Sequence, residues 1–81
     1  MKPLTELERG EYGYIVDMRD SQITCQLFDM GCFTGDLICV ESNRPERDFM
    51  TFSCREHYYR LYKPKAETII TNVVSYQFCL N

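Results

Sequence analysis

The stretch that decides the fold is QLFDMGCFTG, residues 26–35, which leads into the apolar segment LICV, residues 37–40. Gly31 and Gly35 divide this stretch. Glycine readily takes the positive φ angles that end a helix or turn the chain sharply. The pattern therefore predicts a short helix that ends at Gly31, a corner at Gly35, and a strand over residues 36–41.

The helix before the corner is indicated by its apolar spacing. Ile23, Leu27 and Met30 follow one another at i, i+4 and i+7, which places them on one helical face. Ser21 precedes this run and is of a residue type that caps helix N-termini. We therefore expect a helix over residues 23–30, capped by Ser21 and packed through its apolar face.

The rest of the chain reads mainly as short strands. Residues 12–17 and 57–62 show alternation, and residues 68–74 are rich in β-branched side chains. Residues 49–54 alternate more loosely, and Arg55-Glu56 is the expected hairpin tip before the next strand. The pattern predicts a mainly β protein, a small bent β-barrel of about five strands with one short helix between the first two.

Length and charge limit the classes of function. The chain has 81 residues, enough for one domain and one modest core, so we expect a single domain over residues 1–81. Its net charge of -3 argues against nucleic acid as a partner. Neither a secretory leader nor an apolar run of membrane-spanning length is visible, which predicts a cytoplasmic protein without direct membrane insertion.

The five cysteines raise the question of a metal site. Cys25, Cys32 and Cys39 are spaced seven residues apart, and His57 offers a fourth ligand. Closely spaced Cys pairs are typical of structural zinc sites, and this chain has none. Buried, reduced thiols are therefore the favoured interpretation, with no cofactor and no bound metal, and a metal-binding set of Cys25, Cys32 and His57 is kept as the alternative.

Catalysis has little support in the sequence. A nucleophilic Cys32 at a helix C-terminus would have its thiolate disfavoured by the helix dipole, and no phosphate-binding glycine loop is present. Aromatic side chains are more informative, because a barrel of this size cannot bury all of them. They either anchor a partner or cover the barrel ends: Tyr12, Tyr14, Phe33, Tyr58, Tyr62, Tyr76 and Phe78.

The pieces together resemble the FeoA (ferrous iron transport protein A) family across about residues 4–74, with residues 75–81 as a C-terminal extension. The central family motif corresponds to Gln26-Leu27, Met30-Gly31 and Thr34-Gly35. The flanking matches are Leu4, Leu7, Gly10 and Ile15 before it, and Arg60-Leu61-Tyr62, Ala66, Ile69 and Val73 after it. The chain departs from the family pattern at Gln26, Thr34 and Tyr62, where the family has Arg, Pro and Arg.

The resemblance implies an SH3-like barrel and a non-enzymatic accessory role in bacterial ferrous iron uptake. The implied partner is the cytosolic GTPase region of a FeoB-type iron permease, which the protein would dock onto and modulate. The corner and the strand over residues 57–62 supply the expected contact residues: Gln26, Phe28, Asp29, Phe33, Tyr58, Arg60 and Tyr62.

Two further interpretations stay open beside this one. One is a thiol-based module that binds or senses a transition metal. The other is a Pro-rich peptide-binding domain, against which the absence of Trp counts. The apolar tail, residues 75–81, can add a strand to its own sheet or pair with a second copy of the chain.

Overall fold

One antiparallel sheet organises the chain in the computed structural model, which describes residues 1–74. The strands of this described part lie in the order β1-β6-β2-β3-β4-β5. The strands are β1 (Lys2–Pro3), β2 (Tyr12–Met18), β3 (Leu37–Ser42), β4 (Phe49–Cys54), β5 (His57–Tyr62) and β6 (Ile69–Val74). Helix α1 (Ser21–Asp29) joins β2 to β3, α2 (Lys63–Ala66) joins β5 to β6, and a single 3-10 turn (Leu4–Glu6) follows β1.

The predicted fold class is confirmed, with two differences in detail. Six strands are present in the described chain rather than about five, because the two-residue β1 is too short to leave an alternating pattern. The sheet is also not closed into a barrel: within residues 1–74, β1 pairs only with β6 and β5 only with β4. The expected role of the tail lies outside the described residues.

Helix α1 begins earlier than the sequence predicted. Its N-cap is Asp20 rather than Ser21: the Asp20 carboxylate accepts hydrogen bonds from the backbone N–H groups of Gln22 (2.9 Å) and Ile23 (3.3 Å). Ile23 and Leu27 are buried as expected, whereas Met30 caps the C-terminus with half of its surface exposed. Met30 is therefore not part of the buried face, because the helical turn ends before it.

The corner has the predicted backbone. Gly31 has a φ of 89° and Gly35 a φ of 99°, both in the region that glycine tolerates best. Gly35 donates its backbone N–H to the carbonyl of Ile15 over 2.7 Å, which fixes the corner against β2. The chain therefore leaves α1 in a direction that leads straight into β3.

The core lies beneath one face of the sheet. Phe52 of β4 is fully buried and stacks on Tyr59 of β5, with ring centroids 5.2 Å apart. In β2 the predicted alternation is confirmed, since Ile15 is buried while Tyr14 is exposed. Leu4 and Leu7, both fully buried, close the core from the N-terminal segment.

A side-chain clip holds that N-terminal segment in place. The amide nitrogen of Asn43, which follows β3, donates hydrogen bonds to the carbonyls of Thr5 (2.9 Å) and Leu7 (2.7 Å). Residues 4–7 have few backbone partners of their own, so this amide satisfies carbonyls that would otherwise be left without donors near the core.

Candidate partner surfaces and a buried thiol cluster

The first candidate surface lies at the corner after α1. Phe28 is 62% exposed, and its ring packs against that of half-buried Phe33, with centroids 5.0 Å apart. Gln26 and Asp29 are exposed on the same helix. We call these four residues the corner surface. Of these four expected residues, Phe28 and Phe33 are in ring contact, whereas Gln26 and Phe28, two positions apart on α1, do not face each other.

The second candidate surface is the outer face of β5. Tyr58, Arg60 and Tyr62 alternate with the buried Tyr59 and Leu61, and Tyr58 is 71% exposed. Across the hairpin, Phe49 pairs with Tyr62, and the two rings lie 5.4 Å apart. The Arg60 guanidinium lies 4.1 Å from the Phe49 ring centre, a cation–π contact.

We call Phe49, Tyr58, Arg60 and Tyr62 the edge-strand surface. Phe49 was not among the residues expected from the sequence, although the hairpin register indicates its position. A two-residue turn at Arg55-Glu56 fixes the hairpin register and so places residue 49 opposite residue 62. A polar cavity of about 440 Å³ adjoins this surface, and the residues that line it include Arg44, Arg47 and Arg60.

The turn of the β4–β5 hairpin ties the two surfaces together. Arg55 and Glu56 have φ angles of 54° and 69°, the left-handed backbone of a two-residue hairpin turn, here without the usual glycine. Such strain is retained where other contacts compensate for it. Arg55 provides them: its guanidinium forms an ion pair with Asp36 (2.8 Å) and lies 5.5 Å from the Phe33 ring centre.

A buried cluster of thiols and a carboxylate lies directly behind that ion pair. One potential ligand atom each from Cys32, Asp36 and Cys54 lies within 4.8 Å of the other two. Cys32 and Cys54 are buried, and Cys54 Sγ donates a hydrogen bond to Asp36 Oδ2 over 3.6 Å. Among residues 1–74, these three side chains form the group of potential metal ligands that lie close enough together to share an ion.

Burial controls the pKa values of the two thiols in this cluster. It raises the pKa of Cys32 to about 12 and also raises the pKa of Cys54, so both groups are thiols at neutral pH. Burial alone would raise the pKa of Asp36 too. Hydrogen bonds from the Arg55 guanidinium and the Phe33 backbone N–H outweigh it, and the pKa of Asp36 lies below its usual value.

The structure distributes the cysteines and histidine of the alternative metal hypothesis differently. Cys32 is in the cluster, whereas Cys25 is exposed on α1 and His57 is exposed at the start of β5. Cys39 is half-buried in β3. Within the described residues, Cys32 thus shares its cluster with Asp36 and Cys54, and not with Cys25 or His57. The burial of Cys32 and Cys54 agrees with the expected buried thiols, whereas the exposure of Cys25 does not.

Comparison with family models decides the family. The FeoA domain model matches residues 2–72, most of the chain. The chain belongs to the FeoA family. This confirms the resemblance noted from the corner motif, and it shows that the departures at Gln26, Thr34 and Tyr62 occur within a genuine FeoA domain.

Solved structures support the same fold. The solution structure of iron(II) transport protein A from Clostridium thermocellum is 27% identical, with a TM-score of 0.79 over 91% of this chain and 46% of that one. A FeoA-like protein from Clostridium acetobutylicum is 24% identical, with a TM-score of 0.78 over 91% of this chain and 87% of the other.

A third solved structure gives the same result. The FeoA protein from Chlorobium tepidum is 22% identical and has a TM-score of 0.82 over 93% of this FeoA domain and 71% of that chain. No curated protein matches the chain. None of the helices in residues 1–74 is both long enough and apolar enough to cross a membrane.

Proposed function

We propose that this FeoA domain is a non-enzymatic, cytoplasmic accessory protein of bacterial ferrous iron uptake. It docks onto the cytosolic GTPase region of a FeoB-type iron permease and modulates that permease. The observation that carries the proposal is the FeoA-family match over residues 2–72. The similarity to a protein described as iron(II) transport protein A adds the iron context.

Exposed aromatic side chains support docking as the mode of action. Phe28 and Tyr58 are the most exposed aromatic residues of the described chain, at 62% and 71%. Aromatic and Arg side chains are the residue types that most often dominate the binding energy of protein interfaces. The corner surface and the edge-strand surface both present aromatic side chains, and the edge-strand surface adds Arg60.

The scaffold beneath these surfaces holds them in one arrangement. The Tyr59 hydroxyl donates a hydrogen bond to the Met30 carbonyl over 2.9 Å, which ties β5 to the end of α1 from inside. Arg55 makes the second link from the hairpin turn to Asp36. A partner that binds both surfaces therefore meets a preorganised site and orders few side chains on binding.

The test is a direct binding measurement between the full chain and the purified cytosolic domain of the permease. Phe28→Ala and Tyr58→Ala truncate one aromatic anchor on each surface. Tyr14→Ala is the matched control, because Tyr14 is also an exposed aromatic (45%) but lies on β2. We expect each surface variant to weaken binding by about tenfold or more, the effect of losing an interface anchor worth over 1 kcal/mol.

Two results would contradict the proposal. One is the absence of binding by the wild-type chain at high micromolar concentrations of the permease domain. The other is equal weakening by Tyr14→Ala and the surface variants, which would place the contact elsewhere on the sheet. Circular dichroism of each variant shows that a loss of binding is not a loss of folding.

A further inference from the structure

Three ligand-type side chains converge from separate parts of the fold behind the corner. Cys32 follows α1, Asp36 precedes β3, and Cys54 ends β4. The backbone fixes two of the positions: Cys32 N–H donates to the Leu27 carbonyl over 2.8 Å, and Asp36 N–H donates to the Phe33 carbonyl over 3.0 Å. The side chains thus meet without any need for the chain to rearrange.

The spacing suits a tetrahedral ion. A tetrahedral zinc site with Zn–S of about 2.3 Å and Zn–O of about 2.0 Å places its sulfur and oxygen ligands about 3.5 Å apart. The Cys54 Sγ to Asp36 Oδ2 distance is 3.6 Å, and all three ligand atoms lie within 4.8 Å of one another. Small side-chain movements would bring the three atoms into the first coordination shell.

We propose that Cys32, Asp36 and Cys54 form a binding site for one divalent transition-metal ion of borderline softness, Zn²⁺ or Fe²⁺. Two thiolates and one carboxylate suit such an ion better than Mg²⁺ or Ca²⁺, which prefer oxygen ligands. Three protein ligands leave a fourth position for water or for a ligand from a partner. This site goes beyond the docking role proposed above.

The groups around the carboxylate already act as an outer shell. Arg55 binds Asp36 Oδ1 (2.8 Å), and the Phe33 backbone N–H donates to Asp36 Oδ2 (2.9 Å). Hydrogen bonds of this kind orient a ligating carboxylate in metal sites. They also leave a lone pair of Oδ2 directed toward Cys54, where the weak S–H donor now points.

Charge balance favours exchange of protons for a metal ion. With both cysteines as thiols, the negative Asp36 is balanced by the positive Arg55. When one divalent cation replaces the two thiol protons, which leave to solvent, the cluster is again neutral overall. The buried site therefore gains no net charge on metal binding, which avoids the large cost of an unbalanced buried ion.

An approach to the site is present at the corner surface. A cavity of about 290 Å³ is lined by Cys32 together with Phe28, Phe33 and Thr34. Asp36 retains some side-chain exposure on the Arg55 side. Cys32 itself is fully buried, so entry of a metal ion from this cavity requires local movement of the surrounding side chains.

The test uses Co²⁺ as a spectroscopic probe on the full chain, kept reduced by a thiol-free reductant and stripped of metal. We expect one Co²⁺ per chain, with near-ultraviolet thiolate charge-transfer absorption and the visible bands of a tetrahedral site. Zn²⁺ should displace the probe, and anaerobic Fe²⁺ should compete with it. The measurement needs no partner protein, so its failure is distinct from failure of the docking proposal.

A cysteine-reduced variant makes the test specific. The triple variant Cys25→Ser, Cys39→Ser, Cys79→Ser retains only Cys32 and Cys54 and should bind Co²⁺ as tightly as wild type. Adding Cys54→Ser to it should weaken binding at least about 100-fold, since even outer-shell partners contribute 10–100-fold. Arg55→Gln should keep the thiolate band and weaken binding by roughly 10–100-fold.

Three outcomes would overturn the proposal. They are loss of the thiolate band in the triple variant, wild-type Co²⁺ binding without any such band, and unchanged affinity after Cys54→Ser. Far-ultraviolet circular dichroism of every variant separates loss of the site from loss of the fold. The triple variant changes neither buried thiol, so it keeps the test informative even if Cys54→Ser fails to fold.

Discussion

Asn43 offers the sharpest test of how the N-terminal segment is held. Its side-chain amide nitrogen donates hydrogen bonds to the carbonyls of both Thr5 and Leu7. A net contribution of about 0.5–1.5 kcal/mol per hydrogen bond predicts a loss of about 1–3 kcal/mol for Asn43→Ala. For a domain of this size, a loss of about 2 kcal/mol corresponds to a Tm lower by roughly 8–16 °C.

The near-isosteric Asn43→Asp variant separates hydrogen bonding from packing. At neutral pH the introduced carboxylate faces two carbonyl oxygens and donates nothing, so we expect a larger loss than for Asn43→Ala. Burial and the facing carbonyls raise the folded-state pKa of that carboxyl above its unfolded value of about 3.9. The stability of the protonated form is therefore present below about pH 4 and is lost as pH rises through the folded pKa.

The assay is urea unfolding followed by circular dichroism, for wild type and variants at each pH. Asn72→Asp is the control, because Asn72 is exposed on β6 and its substitution adds the same charge. The midpoint should change with an unchanged m-value, the sign of a stability effect alone. A loss below about 0.5 kcal/mol for Asn43→Ala would refute the hydrogen-bond argument.

Two further predictions concern the core and the helix start. Phe52→Ala should lower the free energy of unfolding in urea by about 3–5 kcal/mol, because Phe52 is fully buried and stacked on Tyr59. Phe49→Ala, on the exposed side of the same strand, should lower it far less. Equal losses would contradict the assigned packing. The pKa of Asp20 is lowered, chiefly by the hydrogen bond from the Ile23 backbone N–H. Its carboxylate therefore stabilises the fold above the unfolded pKa of about 3.9, and that stability is lost as pH falls through the folded pKa. Asp20→Ala should lower the urea midpoint at neutral pH, with a difference from wild type that shrinks in acid; a difference independent of pH would contradict the capping role.

Most of the fold was predictable from local sequence signals, namely turn residues, glycines and alternating apolar positions. The predicted bounds of β4 and β5 are confirmed residue for residue, since the turn at Arg55-Glu56 separates two alternating runs. The stop at Gly31 and the corner at Gly35 are confirmed by their positive φ angles. These features depend on backbone sterics and on periodicity, which a single sequence displays directly.

The errors arise where local signals leave alternatives open. Asp20 and Ser21 are both good N-caps by residue type. In the structure Asp20 takes this role, and its carboxylate also lies 3.4 Å from the Lys65 Nζ of α2, a contact that local spacing does not reveal. Closure into a barrel would likewise require pairing between the two edge strands of the sheet, β1 and β5. Alternation within a single strand gives no information about such pairing.

The thiol cluster shows that strand register, rather than sequence spacing, determines which ligand-type residues meet. The seven-residue spacing of Cys25, Cys32 and Cys39 draws attention to one stretch of chain, but these residues lie on a helix, a corner and a strand. In an antiparallel sheet, strand register brings residues together. The β3–β4 register pairs Cys39 with Ser53, so the next residue, Cys54, lies level with the start of β3 and near Asp36. Ligand partners of Cys32 should therefore be sought across the β3–β4 pairing, because register joins residues that sequence distance separates.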